Sequence, residues 1–250
     1  MLALVSVPQP WEKMRKFHVK QSAESQAGQE GPNSQGLEQA PPKQAQEIFG
    51  DRLDLAIEYH RLLATDGSVR GFIGPREVPR LWQRHILNCA VLSEVMPEGA
   101  SVADIGSGAG LPGIPLAIAR PDLQITLIEP LLKRSTFLKE VKAALHLDNV
   151  VVLRGRAEEG PIKREVHGVD VVTSRAVAPL GKLAGWSLPL LKQGGEMIAM
   201  KGSSVEEELR RDAKQITKAG GANAQISVIG QALEEPTTII RIAKVRETLK

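Results

Sequence analysis

Cysteine and tyrosine each occur once in these 250 residues, and aromatic side chains make up only 3% of them. The single Cys89 excludes an internal disulfide and favours neither export nor a structural zinc site; no metal is expected. With so few rings, stacking cannot be the main way of holding nucleic acid bases. No apolar run approaches the roughly 20 residues needed to cross a bilayer. The apolar start, Met1 to Val7, has no basic residues before it and charged residues after it, so no signal peptide is expected. Charge of one sign is scarce as well. The net charge is +3 with a pI of about 9.0, a bias compatible with nucleic acid but no evidence for it. No internal repeat is visible. What remains is the expectation of a cytoplasmic protein, without a membrane partner, long enough to bury a sizeable core.

Between Gln21 and Gln46 large apolar residues are nearly missing, and Gln, Glu, Ser, Gly and Pro dominate. Such a stretch cannot bury enough surface to offset its ordering entropy. Residues 1–46 therefore read as a disordered extension. Phe17-His18-Val19-Lys20 inside it is open between a short recognition element and, the favoured reading, an unstructured tail or a start codon assigned too early. Residues 47–250 read as one domain, with a helical cap over 47–98 and an alternating core over 99–250. In the cap, Ile48, Leu53, Ile57 and Tyr59 to Leu63 have helical spacing, and so do Leu81-Trp82, Ile86-Leu87 and Val91-Leu92. His85 on the second helix is open between a core-edge histidine held by hydrogen bonds and a contact to ligand or RNA.

From Ser101 onward strands alternate with helices. Strands are expected at 102–105, 124–129, 150–153, 169–173, 196–200, 224–229 and 237–243. Helices are expected at 111–119, 133–146, 180–191 and 205–219. This alternation predicts a parallel sheet covered on both faces. The last two strands are joined by too short a connection for a crossover, so they are expected to pair antiparallel.

The richest stretch is Asp104-Ile-Gly106-Ser-Gly108-Ala-Gly110-Leu111-Pro-Gly113. Strand, glycine turn and helix in that order form a place where an α/β sheet meets a nucleotide-like ligand. Two glycine frames overlap there. A dinucleotide frame fails from Gly106, where its third glycine falls on Leu111, but matches from Gly108 through Gly110 to Gly113. Such a match alone is weak. The other frame, Gly106-x-Gly108-x-Gly110 behind an acidic residue, is that of a class I S-adenosylmethionine site, with Asp104 toward the ligand's ammonium. Glu129, ending the second strand, is placed to accept hydrogen bonds from both ribose hydroxyls. Ala157 and Glu158, after the third strand, are placed to read the adenine edge. After the fourth strand stands Ser174-Arg175-Ala176, without the Asn-Pro-Pro-aromatic motif of enzymes that methylate exocyclic amines. Arg156, Arg175 and Lys201 follow strands three, four and five and are candidate contacts to phosphate or a guanine edge.

These segments, with Leu-Ile-Glu129-Pro-Leu-Leu-Lys133-Arg134, Arg156-Ala157-Glu158-Glu159, Lys201-Gly202 and the upstream Arg84-His85-Ile-Leu-Asn88, resemble the glucose-inhibited division protein B, or RsmG, family. Its members are guanine-N7 methyltransferases of bacterial 16S ribosomal RNA. The likeness runs from Ile48 to the C-terminus and is closest to actinobacterial members. It implies a class I methyltransferase fold, Rossmann-like with a seven-stranded, mostly parallel sheet. It also implies S-adenosylmethionine bound by Gly106, Leu111, Ala157, Glu158 and Arg175, to which Gly108 and Glu129 add by position. The implied partner is 16S RNA or the 30S subunit, and a monomer is expected. The role of an arginine near the last strand in some members is not carried over, because Pro236-Thr237-Thr238 stands there and Arg241 is out of register. Guanine N7 bears a lone pair and no proton, so a positioning mechanism without a general base fits the lack of any His-Asp or Cys constellation. The competing readings are an NAD-dependent oxidoreductase through the Gly108 frame and a non-catalytic RNA-binding protein on the same fold.

Overall fold

The computed structural model describes residues 39–245. The Phe17–Lys20 stretch and most of the expected extension lie outside that range. Seven strands form one sheet in the order β3-β2-β1-β4-β5-β7-β6. They are β1 Ser101–Ile105, β2 Gln124–Ile128, β3 Val150–Leu153, β4 Val169–Arg175, β5 Leu191–Met200, β6 Gly221–Ile229 and β7 Thr237–Lys244. The first five run parallel, and β7 lies antiparallel between β5 and β6. The strand order reverses between β1 and β4, and in open α/β sheets ligands bind at that switch point, beyond the carboxyl ends of the strands. β1 is buried on both faces through Val102, Ala103 and Ile105, as a central parallel strand must be.

The helices are α1 Lys43–Phe49, α2 Leu53–Leu62, α3 Asn88–Ala90, α4 Gly113–Ala119, α5 Leu132–Ala144, α6 Gly160–Val166, α7 Leu180–Ser187 and α8 Val205–Lys218. A π turn, Leu81–Leu87, leads into α3, and a 3₁₀ turn, Val91–Val95, leaves it. On one face of the sheet Phe49, Tyr59, Trp82, Ile86 and Leu92 of the cap join Ile114, Leu116 and Leu138 in one core. On the other face Leu180, Leu183, Leu188, Val205 and Ile216 cover Ala103, Val172 and Ala199. α8 carries Glu206, Glu207 and Glu208 in its first turn and Lys218 in its last, charges that complement its dipole.

Three expectations need correction. α1 begins at Lys43, inside the stretch assigned to the extension, because Ala45 and Phe49 supply a buried stripe that composition averages away. A short helix, α6, follows β3 where none was expected; its apolar content is only Ile162 and Val166. The fourth and fifth strands are longer than expected: β4 runs on through Ser174 and Arg175, and β5 starts at Leu191, where α7 was expected still to run. The helix α7 ends at Ser187, and Pro189 lies in the 3₁₀ turn that follows.

Candidate active site

The glycine turn leaves β1 at the switch point. Gly106, Gly108 and Gly110 all have positive φ, +68°, +59° and +107°. Only glycine adopts such angles without strain. The turn is fastened from three sides. Gly106 N–H donates to Ile128 O at 2.8 Å, continuing the ladder to β2. The hydroxyl of Tyr59, reaching from α2, donates to Ala109 O at 2.9 Å in a buried setting. The Glu129 carboxylate accepts from Gly108 N–H at 2.9 Å with Oε2 and from Leu131 N–H at 2.8 Å with Oε1. Although Glu129 is buried, these two bonds use about half of a carboxylate's lone-pair sites.

Asp104 differs from its expected role. It is fully buried beneath the turn, with Oδ2 accepting from Gly113 N–H at 3.1 Å and Oδ1 without a partner. Burial pushes its carboxyl up to about 7. It anchors the start of α4 and is not among the residues lining either cleft described below. Gly113 must be glycine for the same packing, since a Cβ there would lie 2.3 Å from Leu127 Cδ2. That role, close approach of helix to strand, serves either glycine frame.

Two clefts open at the carboxyl ends of the strands. The first, about 620 Å³, is lined by Gly106, Gly108, Leu111, Glu129 and Arg175, among others. The second, about 600 Å³, is lined by Arg84, Asn88, Arg175, Lys201, Glu208 and Glu235, with neighbours on β7. Arg175 and Ala176 belong to both walls.

The sequence candidates thus divide. Gly106, Gly108, Leu111, Glu129 and Arg175 come together in the first cleft. Ala157 is buried and Glu158 exposed in a turn that closes on itself, Glu159 N–H donating to Arg156 O, and neither lines the first cleft. Arg156 is exposed and lines neither cleft. Lys201 lines the second cleft, but its ammonium is committed: it donates to Glu208 Oε2 at 2.7 Å and Ala178 O at 3.2 Å. The same Oε2 accepts from Leu180 N–H, so Lys201 and Glu208 tie β5, α7 and α8 together. Arg241 is paired with Glu196, away from both clefts. Pro130, Leu131 and Arg134 continue the first cleft's wall, and Glu77 and His85 reach it from the cap; of these, sequence reasoning gave no site role to Pro130, Leu131 and Glu77 and left His85 open. Position supplied a signal for Pro130 and Leu131, which directly follow the strand-end acid Glu129. For Glu77 local sequence supplied none. His85 combines both alternatives: it is buried and hydrogen-bonded to Glu77 and Arg175, and it lines the first cleft.

A family model described as rRNA small subunit methyltransferase G matches residues 52–237. The ribosomal RNA small subunit methyltransferase G of Corynebacterium glutamicum strain R is 72% identical over 204 residues, covering 81% of this chain and 92% of that protein. The protein of the same name from Rhodococcus jostii RHA1 is 57% identical over 202 residues, covering 80% and 88%. Among solved structures, a precorrin-6y C5,15-methyltransferase from Geobacter metallireducens superposes with a TM-score of 0.50 at 16% identity, covering 72% of this chain and 96% of that one, a likeness of fold alone. With its glycine turn, strand-end acid and paired clefts, the chain belongs to the rRNA small subunit methyltransferase G family.

Proposed function

We propose that the chain binds S-adenosylmethionine in the first cleft and methylates N7 of a guanine of 16S ribosomal RNA seated in the second. The observation that carries this reading is the shared wall: Arg175 and Ala176 border both clefts. A donor and an acceptor held there would face each other. The first cleft suits its ligand. Glu129 has lone pairs left for a ribose diol, and the glycine turn brings backbone close to the amino-acid end. Pro130 and Leu131 line the same cleft and, with Ala157 and Glu158, would hold the adenine. When bound, the cofactor would supply an electrophilic methyl carbon to the N7 lone pair.

No proton leaves N7, so the residues have only to position and to exclude water. Arg84 and Arg175 offer donors to O6 of the base or to a phosphate. Glu208 and Glu235 line the same cleft, each already paired with a basic side chain, Lys201 and Arg80 respectively. The partner in this reading is the 16S RNA, within the 30S subunit, and the enzyme is a cytoplasmic monomer. Among the described residues no helix is long and apolar enough to cross a membrane, and no group of three metal-ligating side chains occurs.

The test is transfer of a labelled methyl group to 30S subunits from cells lacking this protein, followed by mass spectrometry of the digested RNA. The expected product is 7-methylguanosine at one position. Absence of transfer to both 30S subunits and free 16S RNA overturns the proposal. Stabilisation by NAD exceeding that by S-adenosylmethionine would restore the oxidoreductase reading.

A further inference from the structure

We propose that Glu77 and His85, both from the cap, are positioning residues that hold the Arg175 guanidinium on the wall between the two clefts. The inference rests on the reading of the first cleft as the cofactor site.

Arg175 ends β4, and no carboxylate lies within ion-pair distance of it among the described residues. Its contacts are with neutral acceptors. Nη2 donates to His85 Nδ1 at 2.5 Å, whereas Nη1 reaches Arg84 O and Cys89 Sγ only at 3.4 Å each. The imidazole is therefore the closest hold on the guanidinium. A guanidinium has five N–H donors and no acceptor. Nδ1 of His85 must then carry the lone pair, and the ring proton must sit on Nε2. That Nε2–H donates to Glu77 Oε2 at 2.7 Å. Glu77 thus fixes the tautomer, and the tautomer fixes the arginine. Of the five donors, three are used inside the protein. Nε–H and one Nη2–H are left for ligands in the clefts.

The surroundings keep the ring neutral. Burial, then the neighbouring Arg175 charge, lower the pKa of His85 from its ordinary value, and Arg84 acts the same way; Glu77 opposes them. The Glu77 carboxyl is itself held below its usual range, chiefly by the His85 hydrogen bond. Cys89, the other side chain on Arg175, is a buried thiol pushed up to about 11, so it supplies no competing negative charge. The arrangement leaves the Arg175 charge aimed by a neutral imidazole and not paired directly with an acid. Such a charge is suited to a cofactor carboxylate or an RNA phosphate at the junction.

Two measurements on the full chain test this. The first is ¹⁵N NMR of the histidine side chains at pH 7 without ligand. His85 is expected as the neutral Nε2–H tautomer, with Nδ1 unprotonated. A protonated Nδ1 overturns the proposal whether or not the chain proves to be a methyltransferase. The second is a double-mutant cycle on the Kd of S-adenosylhomocysteine, using Glu77→Ala, Arg175→Gln and both together. Glu77→Ala is expected to weaken binding at least fivefold, and Glu77→Gln, which retains an acceptor for Nε2–H, to recover most of that loss. In the Arg175→Gln background, Glu77→Ala is expected to cost less than twofold more. Full additivity, or a Glu77→Ala variant that binds like the parent, rejects the positioning role. If the parent chain binds no S-adenosylhomocysteine, the functional reading fails, and the NMR arm alone decides the relay.

Discussion

Gly106 shows how little room the turn leaves. Its φ is +68°, and a Cβ built on it would lie 2.9 Å from Val177 Cγ2, on the loop after β4. Gly106→Val therefore meets both backbone strain and a neighbour that lines the same cleft. Calorimetry with S-adenosylmethionine is expected to show at least a hundredfold loss of affinity; unchanged binding would move the site elsewhere. Asp104, two residues before, sets a second expectation. Its carboxyl is raised from an ordinary 3.8 to about 7 by burial, so the folded state binds a proton that the unfolded chain has already released. The stability this proton supplies is complete below pH 3.8 and is lost as pH rises through 7. At about 1.4 kcal/mol per unit, the loss is at most about 4 kcal/mol. Asp104→Asn keeps an acceptor for Gly113 N–H and does not titrate. Urea unfolding at pH 5 and pH 8.5 is expected to show the parent losing stability relative to the variant at the higher pH. A pH-independent difference would mean that Asp104 is charged in the fold.

Among the elements, the cap does more than cover apolar strands. Tyr59, the only tyrosine, sends its hydroxyl from α2 into the glycine turn, on Ala109 O. Removing that hydroxyl leaves a buried carbonyl unpaired, at a cost of about 1–3 kcal/mol. Tyr59→Phe is expected to lower stability by that amount, read from urea unfolding, and to weaken cofactor binding severalfold, because the turn loses its tie to α2. A variant equal to the parent in both would show that the Glu129 and Ile128 bonds suffice. The same contrast explains what sequence made legible. Each strand and most helices announce themselves within ten or fifteen residues, through apolar runs, turn glycines and charge at helix ends. The antiparallel pairing of β6 with β7 followed from a connection too short for anything else. Short helices with two apolar residues, such as α6, carry too little pattern to be seen.

Across the whole molecule, the features that were not legible are those joining distant segments. The glycine turn and Glu129 lie on consecutive strands and were read together; Arg175 and His85 lie 90 residues apart, and no local spacing could pair them. Lys201 reads as a free cation in sequence because Glu208, its partner, stands on another element. The cap and sheet share one apolar core, so an insult to the cap should be felt by the sheet. His60 offers the means to test this. It is buried against Trp82 in a stacked pair, ring centroids 5.1 Å apart, and its Nε2 has no partner. Burial lowers its pKa from 6.5 to about 4. The folded state therefore refuses a proton that the unfolded chain accepts, and the stability tied to His60 is present above pH 6.5 and lost as pH falls through 4. Phenylalanine keeps the ring stack and removes both the unpaired nitrogen and the titration. His60→Phe is expected to flatten the decline in stability between pH 6.5 and 4. Because the core is common, circular dichroism of the sheet should report the change at the same pH as a probe on the cap. Two separate transitions would mean that the cap unfolds alone, and that its hold on the turn through Tyr59, and on Arg175 through His85, can be released while the sheet stays intact.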